Sequence, residues 1–208
     1  MTSPTPIIHV VDDDDSLRTA VMRLLRAAGY EVRGYPSAAE FLLANTGNTR
    51  GCIVLDVHMP GLSGLDLQAA FSERDDSLPI IFLTGHGDIP MTVRAMQAGA
   101  VDFLTKPVER EALLTAVQNA LARDMQNKAV KSSADAFYSN YQSLTSRERD
   151  VFALVVVGKL NKHIAVELEI SERTVKAHRA HVMEKMHATS LAELVHIAEQ
   201  LKSEIPSR

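Results

Sequence analysis

Five short apolar runs occupy the first half of the chain, and four of them lead into polar residues that are costly to bury alone. Residues Ile7–Val11 run into Asp12-Asp13-Asp14-Asp15, 52–55 into Asp56, 80–83 into Thr84 and 101–104 into Thr105-Lys106-Pro107; the remaining run is 30–35. Helical spacing fills the intervals. Leu17, Val21, Leu24, Leu25 and Ala28 recur before Gly29, a residue suited to ending a helix. Ser37 and Glu40 have the spacing of a capping box. Residues 65–71 and 91–98 read as further helices, the second followed by Gly99, and a fifth helix begins near Glu109. Nearly unbroken apolar strands alternating with helices predict a five-stranded parallel sheet covered on both faces. In such a sheet every strand ends at the same edge, and ligands bind beyond that edge. The pattern therefore predicts that Asp12, Asp13, Asp56, Thr84 and Lys106 converge.

That set has a definite chemistry. Three carboxylates brought together repel one another unless a cation sits among them. Oxygen ligands alone suit Mg2+, which keeps several waters and binds through one or two carboxylates plus phosphate oxygens. A carboxylate can also attack phosphorus and form an aspartyl-phosphate. Phosphoryl transfer needs positioning and charge neutralisation above all. Mg2+ and the Lys106 ammonium supply the neutralisation, and the Thr84 hydroxyl offers a hydrogen bond to a phosphoryl oxygen. Taken singly, an aspartate after a strand is a turn or a helix cap, and a Lys-Pro pair is a turn. Asp14 and Asp15 fit that plain role at a helix N-terminus. The ordered set, one feature per strand end, carries the argument.

The second half reads differently. Residues 1–122 hold 9 Lys+Arg against 15 Asp+Glu, a balance of −6, whereas 143–208 hold 10 against 9, a balance of +1, with five of the eight histidines. That asymmetry suits two jobs. No strand pattern follows Val108. Thr145 and Glu148 form a capping box, Asn161 is placed to cap a helix carrying Ile164, Ala165 and Leu168, and Ser171 is placed to cap one running to Met186. Ser190 and Glu193 open a last helix with Leu194, Val195, Ala198 and Leu201. This predicts an all-α four-helix domain. Within it, 161–168, a turn at Glu169-Ile170-Ser171 and 172–186 have the plan of a helix-turn-helix, whose second helix enters the DNA major groove. Val175, Val182 and Met186 would face the core and leave Arg173, Lys176, Arg179 and Lys185 exposed. A solvated helix face would look the same, so the pattern alone leaves DNA contact open. Between Pro107 and Gly158 there is neither Pro nor Gly, and Leu114, Val117, Leu121 and Met125 continue one stripe. The fifth helix is therefore expected to run on to about Lys131, holding the domains apart, with a looser joint over 132–143.

The motifs are those of a known family. Val10-Val11-Asp12-Asp13, Asp56-Val57-His58-Met59-Pro60-Gly61-Leu62-Ser63-Gly64, Thr84-Gly85-His86-Gly87-Asp88 and Asp102-Phe103-Leu104-Thr105-Lys106-Pro107 resemble the signature of response-regulator receiver domains over 5–122. The stretch after Thr84 looks most like the FixJ type. Leu144-Thr145-Ser146-Arg147-Glu148, Asn161-Lys162, Ile170-Ser171, Arg173-Thr174-Val175-Lys176 and His178-Arg179 resemble the C-terminal domain of the NarL/FixJ/LuxR class, over 143 onward.

The resemblance implies a CheY/flavodoxin-like receiver domain at 5–122, a helical linker at 123–142 and a LuxR-type helix-turn-helix domain at 143–208. It implies Asp56 as phosphoacceptor and Mg2+ held by Asp12, Asp13, Asp56 and the His58 carbonyl. Thr84 and Lys106 would complete the site, with a cis Lys106–Pro107 bond aiming the ammonium at the phosphate. Phe103 falls at the switch position, and His58 and His86 at positions that tune phosphate lifetime. Lys162 and Thr174 would reach DNA phosphates, and Lys176 and Arg179 the groove, with Arg173 and Lys185 alongside. His178 suits a partly buried structural role equally well. The implied partners are a sensor histidine kinase, double-stranded promoter DNA, RNA polymerase and a second copy on phosphorylation. The implied role is transcriptional regulation, as an activator, of the kind FixJ-like members exert on aromatic-hydrocarbon catabolism. No catalysis is implied beyond the chain's own phosphorylation and dephosphorylation.

Two other readings compete. A Mg2+-dependent phosphohydrolase of the haloacid-dehalogenase type would carry a second Asp two residues after its nucleophile, where this chain has His58. A quorum-type small-molecule sensor would lack the Asp-Asp, Asp, Thr, Lys set. The remaining composition points to the cytoplasm. Cys52 is the single cysteine, so no internal disulfide forms, and it reads as a buried strand residue. No membrane-length apolar stretch and no secretory leader are expected.

Overall fold

Strands Ile7–Val11 (β1), Glu31–Tyr35 (β2), Gly51–Asp56 (β3), Ile80–Thr84 (β4) and Asp102–Thr105 (β5) pair in parallel in the order β2-β1-β3-β4-β5. The structure is a computed structural model that describes residues 5–44, 49–72, 78–85 and 89–201. Helices Asp15–Ala27 (α1), Ala38–Leu43 (α2), Gly64–Ser72 (α3) and Ile89–Gln97 (α4) connect the strands, and α5 (Arg110–Gln142) follows the last. Side chains on a strand alternate between its faces, and here both faces are buried. Val11, Ile53, Leu55 and Phe82 meet Phe41, Leu67, Phe71 and Ala95 in one core. Ile8, Val10, Cys52, Val54, Ile81 and Leu83 meet Val21, Leu25, Leu113, Ala116, Val117 and Ala120 in another. This is why the strands read as continuous apolar runs. Each such side chain contributes ~1.5–3 kcal/mol when fully buried. Cys52 is fully buried, and that burial pushes its thiol up to about 12.

Local chemistry sets the element ends. The Asp14 carboxylate accepts the N–H groups of Ser16 and Leu17 and so caps α1. Gly29 follows that helix at φ +91°, a conformation glycine adopts without strain. Gly51 is more constrained. Its φ is +143°, and a Cβ there would lie 1.8 Å from the Ile7 carbonyl oxygen. Its N–H donates to Asp124 Oδ2 at 3.1 Å, which ties the start of β3 to α5.

The chain forms two compact units that divide between Asn127 and Lys128. The looser joint expected over 132–143 is not there, because α5 stays helical to Gln142. Ser133 tolerates the helix by donating its hydroxyl to the Ala129 carbonyl one turn back. Phe137, Tyr138 and Tyr141 then pack against the core of the second unit. That core gathers Leu144, Val151, Phe152, Val155, Ile164, Val175, Val182, Met186, Leu194 and Ile197. They come from α6 (Ser146–Val156), α7 (Asn161–Glu167), α8 (Glu172–Lys185) with its C-cap Met186, α9 (Leu191–Gln200), and Leu144 two residues before α6. The capping box of Thr145 and Glu148 is complete on α6. The cap expected from Asn161 is absent. Leu160 is the N-cap of α7 without a side-chain bond, because the Asn161 amide oxygen accepts from Arg179 Nη1 at 2.9 Å. No helix among the described residues is long and apolar enough to cross a membrane.

One buried group makes the first unit pH-sensitive. His9 on β1 is fully buried, its Nδ1 lies 3.1 Å from the Tyr35 hydroxyl, and its Nε2 makes no hydrogen bond. Burial, helped by the nearby Arg33 charge, lowers its pKa from 6.5 to about 4. The folded state keeps His9 neutral where the unfolded chain protonates it. Its contribution to stability is therefore complete above pH 6.5 and lost as pH falls towards 4. The stability of wild type relative to His9→Leu should fall as pH drops across that window, by at most ~1.4 kcal/mol per pH unit. Denaturant titrations at several pH values measure it. A constant difference would rule out His9 as the titrating group.

Candidate functional site

Parallel register brings the polar strand ends together. Val11 pairs with Leu55, so Asp12 and Asp56 stand next to each other, one residue further along β1 and β3. Asp56 pairs with Leu83, and Thr84 pairs with Thr105 immediately before Lys106. The strand order reverses between β1 and β3, the place where open parallel sheets leave a crevice. Lys106 Nζ lies 2.8 Å from Asp12 Oδ2 and 2.9 Å from Asp56 Oδ2. The Lys106–Pro107 peptide is cis. Asp12, Asp56 and Thr84 are buried, while Asp13 and His58 are exposed beside them.

Burial raises the Asp12 pKa despite its hydrogen bond from Lys106. Burial also acts to lower the Lys106 pKa, but its hydrogen bonds to Asp12 and Asp56 prevail and hold the ammonium above its usual value. The cation is thus committed to the two carboxylates. Asp56 Oδ1 accepts the His58 N–H at 3.2 Å, which orients the carboxylate. Carboxylate oxygens of Asp12, Asp13 and Asp56 lie within 4.8 Å of one another, an oxygen-only donor set that fits a hard divalent cation. Phe103 is half-buried on β5, its ring 6.0 Å from that of Phe82. His86 lies outside the described residues.

Two supports were not anticipated. Arg18 Nη1 donates to the Asp12 carbonyl at 2.6 Å. Gly64 sits so close that a Cβ there would lie 2.3 Å from the Asp56 carbonyl oxygen, so only glycine lets α3 begin against the end of β3. The repeated glycines at 61 and 64 were the available signal; one of them, Gly61, has φ +82°.

In the second unit, α7 and α8 flank a turn in which Glu169 adopts φ +54° and Ser171 caps α8 through the Thr174 N–H. Val175, Val182 and Met186 are buried as expected, and Lys162, Arg173 and Lys176 are exposed. Thr174 Oγ1 lies 2.8 Å from Ser171 Oγ, within the cap. Arg179 is half-buried and bonded to Asn161. Leu160, Asn161, Lys162, Glu172 and Arg179 line a shallow concavity.

Lys185 departs from its expected exposure. Its Nζ lies 2.7 Å from Glu148 Oε2 and 3.4 Å from the Ser143 carbonyl, and its side chain is 35% exposed. Sequence spacing shows which face a side chain occupies but not its partner on another helix. The Lys185 hydrogen bond, with the Thr145 N–H, lowers the buried Glu148 carboxyl to about 2. That contribution is present above the ordinary value of 4.5 and lost as pH falls towards 2. Lys185→Met should therefore cost about 1–2 kcal/mol of stability near neutral pH, moderated by solvent at the exposed flank of Lys185. It should leave the salt dependence of DNA binding unchanged. Unchanged stability with a flatter salt dependence would make Lys185 a phosphate contact instead.

Comparison with known proteins accords with this geometry. Residues 8–118 match the response regulator receiver domain, and 142–198 match the luxR family of bacterial regulatory proteins. Nodulation protein W of Bradyrhizobium diazoefficiens is 46% identical over 199 residues, covering 96% of this chain and 88% of that protein. Response regulator protein TodT of Pseudomonas putida is 43% identical over 205 residues, covering 99% and 90%. The solved structure of response regulator StyR superposes with a TM-score of 0.82 at 46% identity, covering 95% of this chain and all of that one. The chain therefore belongs to the two-component response regulators, with a receiver domain followed by a LuxR-type DNA-binding domain.

Proposed function

We propose that Asp56 accepts a phosphoryl group from a sensor histidine kinase and that this event controls binding to promoter DNA. The observation that carries the reading is the Lys106 ammonium bridging the Asp12 and Asp56 carboxylates at adjacent strand ends. In the transfer, an Asp56 carboxylate oxygen forms a bond to phosphorus, and the phosphorus–nitrogen bond to the kinase imidazole breaks. Lys106 neutralises charge on the phosphoryl oxygens and, remaining protonated, transfers no proton. Asp12, Asp13, Asp56 and the His58 carbonyl are the residues that would hold Mg2+, which supplies further charge neutralisation when bound. The chain promotes only its own phosphorylation and dephosphorylation. The phosphohydrolase reading is not favoured, since the two matched families account for 8–118 and 142–198.

The response is a two-state change that the phosphoryl group biases. The Thr84 hydroxyl donates to a phosphoryl oxygen, and Phe103 turns inward into the space released. The face of α4 and β5 changes with them. α4 leaves Ile89, Val93 and Met96 exposed, apolar surface that supports pairing of two phosphorylated copies. The working parts are a receiver at 5–122, a helical linker at 123–142 and a DNA-binding domain at 143–208, acting in the cytoplasm with RNA polymerase as the downstream partner. Lys162, Arg173 and Thr174 serve as backbone contacts, and Lys176 and Arg179 as groove contacts. Arg179 exchanges its bond to Asn161 for a base edge.

Acetyl phosphate with Mg2+, followed by intact mass, tests the receiver. Asp56→Asn should gain no phosphoryl group while keeping the wild-type circular dichroism. Gain at the wild-type rate would refute the assignment. Thr84→Ala should still be phosphorylated but dimerise poorly, and wild-type dimerisation would contradict the proposed coupling.

The DNA contacts separate by their salt response. Lys176→Ala or Arg179→Ala should cost ~1–3 kcal/mol on a footprinted operator and relax its sequence preference. Lys162→Ala should weaken all sequences alike and flatten the salt dependence. A symmetric dimer should protect half-sites about one helical turn apart. An asymmetric single half-site for the phosphorylated protein would oppose the dimer.

A further inference from the structure

The second unit holds a cluster that neither phosphorylation nor DNA contact uses. Glu148 lies in the first turn of α6, while His178 and His181 lie three residues apart on one face of α8. One carboxylate oxygen and one ring nitrogen from each histidine all lie within 4.8 Å of one another. We propose that Glu148, His178 and His181 bind a divalent transition-metal ion of the Zn2+ class and so clamp α6 to α8.

The geometry is close to what such an ion requires. A tetrahedral Zn2+ with bonds of about 2.0–2.1 Å places its ligand atoms roughly 3.3 Å apart. His181 Nδ1 and Glu148 Oε1 are already 3.6 Å apart. A ring nitrogen of His178 lies within 4.8 Å of both and must close on them to complete the set. A second observation supports a ligand here. The Nδ1 atom of His178 is buried and makes no hydrogen bond, a deficit that folded proteins seldom leave unexplained. Lys185 holds Glu148 Oε2, which fixes the carboxylate and leaves Oε1 available. Its ammonium also offsets the Glu148 charge, so binding energy comes chiefly from the two imidazoles. Imidazole donors favour Zn2+, Ni2+ and Cu2+, whereas the acidic pocket at the strand ends offers oxygen alone and suits Mg2+. The His181 side chain is 58% exposed, so the ion has an entry path and room for a water as fourth ligand. Three protein ligands with an open position make a site for exchangeable metal rather than a permanent structural centre.

The test uses the full chain in saturating Mg2+, with Zn2+ titrated against a chromophoric chelator and Co2+ as a spectroscopic probe. The wild type should bind one Zn2+ in the presence of Mg2+, and Co2+ should show the intense visible bands of a four- or five-coordinate site. His181→Asn, at an exposed position, and His178→Gln should each weaken Zn2+ binding about tenfold or more and remove those bands. His163→Ala, an exposed histidine elsewhere, and Asp56→Asn should leave both readouts unchanged. Absence of Zn2+ binding under Mg2+, wild-type affinity in His181→Asn, or loss of binding in Asp56→Asn would each overturn the proposal. Circular dichroism of every variant separates lost ligands from lost fold.

Discussion

The Lys106 ammonium, 2.8 Å from Asp12 and 2.9 Å from Asp56, is the interaction on which the receiver half depends. Two carboxylates buried at neighbouring strand ends repel each other, and a cation between them offsets that repulsion. The fold supplies that cation from the far end of the receiver half, through β5, and everything that aligns β1, β3 and β5 serves the arrangement. Gly51 admits the Ile7 carbonyl at the start of β3, and Gly64 admits α3 against the Asp56 carbonyl at its end. Arg18 grips the Asp12 carbonyl from α1. A phosphoryl group on Asp56 would compete for the same ammonium, which makes the pair a natural point of control.

The second unit solves a similar problem on a smaller scale. Glu148 completes the capping box of α6 and is buried, so its charge needs a partner. Lys185 supplies it from the end of α8, and this contact orients α8 against α6. The helix that offers Arg173 and Lys176 to solvent is thereby held by an ion pair at its opposite end. Nodulation protein W and response regulator protein TodT stand at nearly equal identity to this chain.

Much of this was legible in the sequence, for physical reasons. A polar residue closing a buried strand is costly, so Asp56 and Thr84 at the ends of apolar runs marked both the sheet edge and the site. Capping chemistry is local, so Thr145 with Glu148 located α6. What failed to read out was non-local. Asn161 has the right chemistry for a cap, but its side chain is taken by Arg179 from another helix. Lys185 has the spacing of an exposed residue, yet Glu148 draws it in. The run of helix-favouring residues ends near Lys131 and so suggested a joint over 132–143, but the helix continues to Gln142, where Phe137, Tyr138 and Tyr141 pack on the core of the second unit. His9 falls inside a run read simply as apolar, and its fully buried ring stacks on Tyr35.

We propose that this arrangement makes Asp56, among three adjacent carboxylates, the one that carries the phosphoryl group. Borohydride reduction of the freshly phosphorylated chain converts an acyl phosphate into homoserine, which peptide mass spectrometry locates by residue. The account predicts homoserine at position 56 and unmodified aspartate at positions 12 and 13. Homoserine at either of those two positions, with Asp56 intact, would contradict it.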